Sequence, residues 1–209
     1  MPARRPERRS QSERTAETRA ALVDAGRRLF AEHGAANVSA EQLVAEAGLT
    51  RGALYHHFTG KDAVFRAVFC AIEAEMAAEI GPVLERAAAT GDVRPPVAAF
   101  LDVCERQEVR RIALLDAPVL LGWQAWREIE HEYFLGMLIT GLQALAATGV
   151  ALPGSPEVLA QLLFSTCCEA AMVIATADDP VAARPDAEAS LVALFTASIN
   201  PVAPGQQTP

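Results

Sequence analysis

Between Val38 and Phe65 the chain reads VSAEQLVAEAGLTRGALYHHFTGKDAVF, and few folds accommodate that order of caps, apolar pairs and glycines. Ser39, with Gln42 three residues later, has the spacing of a capping box that opens a short helix. Leu43, Val44 and Ala47 give that helix one apolar face, and Gly48 can take the left-handed conformation that ends it. Thr50 caps a second short helix, Arg51 to His57. There Leu54 and Phe58, four apart, turn inward together and leave Arg51, Ala53, Tyr55 and His56 outside. Lys61 and Asp62 open a third helix.

Two short helices joined by a tight turn form a device that can enter the major groove of DNA. The N-terminal residues of the second helix then reach the base edges. An ordinary helical hairpin has the same pattern, so spacing alone leaves both readings open. The residues go further. Ser39, the Leu43-Val44-x-x-Ala47-Gly48 run, Leu49-Thr50-x-Gly52-x-Leu54-Tyr55-x-His57-Phe58 and Lys61-x-x-x-Phe65 resemble the DNA-binding domain of the TetR family of bacterial transcription regulators. The resemblance is tight over about residues 15–66. Beyond them it extends only to the number and length of helices. Two positions depart from it: Val44 stands where the family usually has a small residue, and Ala35 follows Gly34 where it usually has an aromatic one.

The resemblance implies an all-α protein: a three-helix helix-turn-helix domain, then a larger helical domain for ligand binding and dimerisation, about nine helices in all. It implies a homodimer on a palindromic operator in double-stranded DNA, repressing until a small molecule releases it. It also implies backbone contacts from Tyr55 and Lys61. From their places on the recognition helix, Arg51, Ala53 and His56 are expected to read bases, with Ser39, Thr50 and Gly52 beside them. The alternative is a DNA-binding regulator with no small ligand, controlled by a protein partner.

Composition agrees with an all-helical reading. At 209 residues and 51% hydrophobic the chain can fill a sizeable core, and no alternating strand pattern persists. A net charge of −8 sits poorly with DNA until it is divided. Residues 1–66 hold eleven Lys and Arg against eight Asp and Glu, a net +3, and residues 67–209 hold seven against eighteen, a net −11. A basic head on an acidic body suits a protein that touches phosphates at one end only. Cys70, Cys104, Cys167 and Cys168 lack the spacing of a zinc site or a disulfide framework and read as reduced cysteines of a cytoplasmic protein.

The organisation expected is a disordered basic arm over 1–12, the helix-turn-helix domain over 13–60, the ligand-binding and dimerisation domain over 61–199, and a disordered tail over 200–209. Arg4, Arg5, Arg8 and Arg9 make the arm basic without giving it the apolar segment of a secretory signal. Gly81-Pro82 is expected to end the helix that starts at Lys61. Asp116-Ala117-Pro118 is expected to start a long helix to about Ala147, and 178–185 to be a loop. Val158 to Ala177 carries one charge, Glu169, in twenty residues. It reads as a helix buried in a bundle or dimer rather than a membrane span.

On the long helix Trp123, Trp126, Tyr133, Phe134 and Met137 make an aromatic stripe, and Glu130 projects into it by its spacing to Trp126 and Phe134. A carboxylate in apolar surroundings is paired, protonated or functional. A ligand site is therefore expected around Trp123, Trp126, Glu130, Tyr133 and Met137, with Phe69, Cys104 and Glu169 opposite. Val158, Leu162, Thr166, Ala170 and Val173 share a face expected to join two chains. Glu128-x-x-His131 has a metal-ligand spacing but stands alone, so no metal, cofactor or catalytic centre is expected.

Overall fold

The computed structural model describes residues 11–199, which form nine helices and, among the described residues, no strand. In order these are α1 (Gln11–His33), α2 (Ala40–Glu46), α3 (Arg51–His57), α4 (Lys61–Thr90) and α5 (Arg94–Cys104). Next comes α6, in which a π-helical Val109–Asp116 runs into Ala117–Leu121. Helix α7 joins Trp123–Glu130, a π-helical His131–Leu135 and Gly136–Ala147. Helices α8 (Pro156–Thr176) and α9 (Pro180–Ile199) complete the chain. Gln11 and Ser12, assigned to the arm on sequence, belong to α1. The remainder of the basic arm and the tail after Ile199 lie outside the described residues.

The first three helices fold over the start of α4. Leu22, Phe30, Leu43 and Leu54 are buried in one core with Val64, Phe65 and Val68. Phe30 meets Phe65 edge-on with ring centroids 5.3 Å apart. A Cβ on Gly26 would lie 3.1 Å from Phe30, Val64 and Val68, so α1 and α4 approach as closely as glycine permits.

Three sequence expectations fail, each for a local reason. Gly81-Pro82 does not end α4, which continues to Thr90 with Pro82 inside and stops at Gly91, φ 74°. The missing N–H and ring clash at Pro82 are offset because Ile80 is buried and Leu84 packs on the same core. Helix α7 starts at Trp123, not near Pro118. Gly122, at φ 76° and ψ 156°, takes a turn that L side chains rarely adopt, and it divides α6 from α7. Finally, α9 starts at Pro180. Asp179 caps it by accepting from the Val181 and Ala182 amides, and Pro185 lies within the helix. Helix α8 is long and apolar enough to cross a membrane, yet here it packs on α5, α7 and α9.

The N-terminal helices are pinned to the body at two points. Arg27 of α1 donates to both oxygens of Glu75 on α4 and both of Glu108 just before α6, each at 2.7 Å. The turn after α1 is held at Ala35, whose N–H donates to Asp116 at 2.8 Å and whose carbonyl accepts from Lys61 at 2.8 Å. Asp116 also pairs with Arg111, whose side chain lies over Gly34 where any Cβ would collide with it.

Because Pro82 is exposed within a continuous helix, Pro82→Ala restores one hydrogen bond at no packing cost. It is expected to stabilise the protein by ~1–3 kcal/mol. Thermal or denaturant unfolding checks this, and an unchanged or lowered midpoint would mean that the proline geometry is needed by the bundle.

Candidate nucleic-acid interface and effector site

Helices α2 and α3 are set by their caps. Ser39 and Gln42 exchange hydrogen bonds as a complete capping box, and Thr50 Oγ1 accepts from the Ala53 amide at 3.2 Å. Their hydroxyl oxygens are therefore occupied in holding the two helices, while each O–H proton is left to donate outward. Gly48, at φ 64°, provides the turn between the helices. Leu54 and Phe58 are buried, and Arg51, Gly52, Tyr55 and His56 are exposed on the opposite side. Around Gly52 a Cβ would meet nothing closer than Thr50 Oγ1 at 3.8 Å, so the helix start is open for close approach. Ala53 is half-buried beside it.

Two of the expected DNA contacts have intramolecular partners. The Arg51 guanidinium bonds Glu41 at 2.7 Å and lies 5.6 Å from the Tyr55 ring centroid. Both partners of the ion pair are well exposed, so the pair is worth ~0–1 kcal/mol and is readily exchanged for a base or phosphate. Lys61 donates to the Ala35 carbonyl. It helps fix the turn after α1, and two ammonium protons are left for other acceptors.

In the body the expected ligand residues divide. Trp126, Glu130, Phe69 and Cys104 are buried. Trp123 is 67% exposed, so it does not face the interior; its ring leans on Trp126 with centroids 5.0 Å apart. Tyr133 is half-buried beside an outer groove that also involves Met137. Glu169 is exposed, on the same surface strip as Thr166, Ala170 and Val173, and so cannot wall an interior site. The reason is the phase of α8, whose Cys167, Cys168 and Ala171 face inward.

A largely apolar cavity of about 100 Å³, partly open to solvent, does exist, but farther along the bundle than expected. Ile80 and Leu84 of α4, Val97 and Phe100 of α5, Phe134 and Met137 of α7, Phe164 of α8 and Phe195 of α9 surround it. Of the residues expected to bind ligand, only Met137 lines it.

The largest omission from the sequence reading is Glu73, which is 2% exposed on α4. Its position was legible: it falls four after Phe69 and three before Met76, within the buried stripe. Glu73 makes no hydrogen bond or ion pair among the described residues. Glu130, 5% exposed, has only long contacts of 3.9 and 4.0 Å from the Cys168 thiol. Burial raises the Glu130 pKa to about 8, and burial together with the Glu130 charge holds Glu73 well above the carboxylate range. Burial also pushes the Cys167 thiol up to about 12. The Trp126 indole N–H is buried without a partner too. Each such group costs about 1–3 kcal/mol relative to a satisfied one.

Residues 22–68 match the bacterial regulatory proteins of the tetR family, and residues 90–198 match the tetracyclin repressor-like C-terminal domain. The structure is similar to that of a TetR-family transcriptional regulator from Pectobacterium atrosepticum, with a TM-score of 0.72 and 32% identity covering 91% of this chain and 98% of that one. It shares its fold with SmeT, repressor of the multidrug efflux pump SmeDEF of Stenotrophomonas maltophilia, with a TM-score of 0.57, 24% identity and coverage of 85% and 91%. Among curated proteins, the transcriptional repressor Rv1474c of Mycobacterium tuberculosis is 34% identical over 105 residues, 49% of this chain and 54% of that protein. The match thus spans about half the length of that relative.

Carboxyls with raised pKa values bind more protons folded than unfolded between the two values, so they lower stability as pH rises through that window. For Glu130 the window runs from 4.5 to about 8. Stability is expected to fall from about pH 4.5 to about 8, and Glu130→Gln should flatten the fall by on the order of a few kcal/mol, with Glu73→Gln acting in the same direction. Denaturant titrations at several pH values check this; variants as pH-sensitive as the wild type would contradict it. The chain, with its capped helix-turn-helix leading into a helical bundle, belongs to the TetR family of bacterial transcription regulators.

Proposed function

We propose that the protein is a cytoplasmic, homodimeric repressor that reads a palindromic operator and leaves it when a small molecule enters the body. The observation that carries the DNA reading is the row of exposed residues on α3, namely Arg51, Gly52, Tyr55 and His56, fixed by caps at Ser39 and Thr50. Arg51 at the N-terminal end can reach guanine O6 and N7 once it leaves Glu41. Tyr55 and Lys61 take phosphates, and Ala53 and His56 face bases.

Dimerisation is assigned to α8 and α9. Val158, Leu162 and Val173 on α8 and Leu194 on α9 are large apolar residues left 49–61% exposed along one surface, with Thr166 and Ala170 in the groove between. Apolar side chains grouped in this way mark an interface. Ala170→Arg is expected to give monomers. Sedimentation at micromolar concentration checks it, and a variant that remains dimeric would exclude this face.

Effector control is assigned to the cavity because Ile80 and Leu84 on its wall belong to the same helix whose first turn carries Lys61. A ligand that binds better in a state with α4 displaced shifts the DNA-binding helices by its difference in affinity between the two states. In support, SmeT has been solved with triclosan bound.

Selection of bound sequences from random duplex DNA with the full-length dimer tests the whole reading. Against the selected operator, Arg51→Ala is expected to cost ~1–3 kcal/mol and to relax preference at one base pair in each half-site. An equal loss on operator and random DNA would make Arg51 a phosphate contact instead. No enriched sequence at all would overturn the proposal.

A further inference from the structure

The cavity stops short of a polar cluster, none of whose members lines it, that lies one to two turns farther along the same helices. Every helix that lines the cavity except α9 also contributes to this cluster, and always toward the same end. On α4, Glu73 precedes Ile80 by two turns. On α7, Glu130 precedes Phe134 by one. On the oppositely directed α5 and α8, Cys104 follows Phe100 by one turn and Cys168 follows Cys167. The four groups are close neighbours: both carboxylates help to push up the Cys104 and Cys168 thiols.

A carboxyl pair kept for stability would share a proton in a hydrogen bond or hold an arginine. Glu73 does neither, and Glu130 has only the thiol contact. Arg127 acts on Glu130 through its charge but bonds Ser165 instead. An independent sign of an unmet partner is the Trp126 indole N–H. It is buried, unpaired and one turn before Glu130 on the same helix face. Two acceptor-rich groups and an unsatisfied donor are thus buried together beyond the Phe134 end of the apolar slot.

The dimensions restrict what fits. At about 100 Å³ the slot is smaller than an engineered cavity of about 150 Å³ that holds benzene, so a chain enters more easily than a ring. Two adjacent carboxylates repel, so the pair readily carries one negative charge and resists a second. That matches a single positive charge on the ligand.

We infer that the effector is a slender amphiphilic cation, an alkylammonium head held between Glu73 and Glu130 with its apolar tail along the cavity past Phe134 and Phe100. This rests on the effector-controlled reading above and names the chemistry of its ligand. Burial disfavours the charged form of both carboxyls in the empty site, so binding of the cation expels a proton to solvent. The other titratable or charged side chains that interact with the pair are Cys70 from α4, Cys104 from α5, Cys168 from α8 and Tyr133 and Arg127 from α7. Burial pushes these thiols and the Tyr133 phenol up, toward their neutral forms, so the proton released comes from a glutamate.

The test uses the full-length protein with three probes of one chain length: n-hexylamine, n-hexanol and hexanoate. Calorimetry at pH 7 in two buffers of different ionisation enthalpy reads affinity and proton release together, and Trp126 fluorescence gives a second signal. Hexylamine is expected to bind at least about tenfold more tightly than hexanol, hexanoate more weakly than either, with about one proton released per amine. Glu73→Gln and Glu130→Gln, both isosteric, should each bring the amine down toward the alcohol and leave hexanol unchanged. Thermal unfolding confirms that the variants fold. Failure of the amine to bind, equal binding of amine and alcohol, or a preference that survives in the double Gln variant overturns the inference. The same probes are added to the complex with the selected operator. Release by hexanol but not by hexylamine would refute the cationic effector while leaving effector control standing. An amine preference in a protein that selects no DNA would refute the regulator and keep the site.

Discussion

One helix belongs to two cores, and the rest of the molecule is arranged around that fact. Helix α4 buries Val64, Phe65 and Val68 in the N-terminal core against α1, and buries Ile72, Met76 and Ile80 in the bundle. A packed helix of thirty residues transmits tilt along its length because its interior hydrogen bonds make it stiff. A displacement of Ile80 by a ligand therefore cannot be absorbed locally; it has to appear at Lys61. This is why the break expected at Gly81-Pro82 matters. Had the helix ended there, the cavity wall at Leu84 would have been on a separate element, uncoupled from α3.

Stiffness in α4 would be of little use if the N-terminal helices could rock on it. Polar contacts at two places restrain them. Arg27 is bonded to Glu108 and Glu75, and those bonds hold its guanidinium above its ordinary pKa while lowering that of Glu108. The turn at Ala35 is held from both sides by Lys61 and Asp116, the first on α4 and the second at the π-to-α junction of α6. A π-helical segment is a less regular helix and commonly marks a functional position. Movement of α6 thus reaches the recognition helix by a second route, through Asp116 and the Ala35 amide.

What the sequence made legible follows from how local the responsible physics is. The caps at Ser39 and Thr50, the turn at Gly48 and the exposed face of α3 are each decided within four residues, and all were readable. Gly122 needs φ 76°, but a single glycine between Leu121 and Trp123 gives no local sign of it. Asp179-Pro180 did carry a start signal that the proline at 185 obscured. Side-chain direction on α7 and α8 was harder, because both helices have apolar residues on more than one face. One set faces the core and another is left on the surface. Trp123 and Glu169 were assigned inward for that reason. Glu73 and Glu130 obey the same spacing rule, yet Glu73 went unnoticed because its neighbours are aliphatic rather than aromatic.

The acidic character of the body has two components with different physics. Most of the eighteen acidic residues after position 66 are on the surface, where water and salt screen them and their role is to keep the body off phosphates. Glu73 and Glu130 cannot act that way, since they are buried and burial disfavours their charged forms. Their effect is a stability penalty that two leucines would not impose. A chain able to place Phe30, Phe65 and Leu54 at 0–1% exposure does not lack apolar residues for such positions. The penalty is removed when a cation neutralises the site, and the difference between empty and filled states then becomes available as coupling to α4, which carries Glu73 itself. A purely apolar cavity would bind ligand by contact alone. A carboxyl pair buried beyond the end of the cavity would select one class of ligand and couple its binding to the helix that leads into the helix-turn-helix.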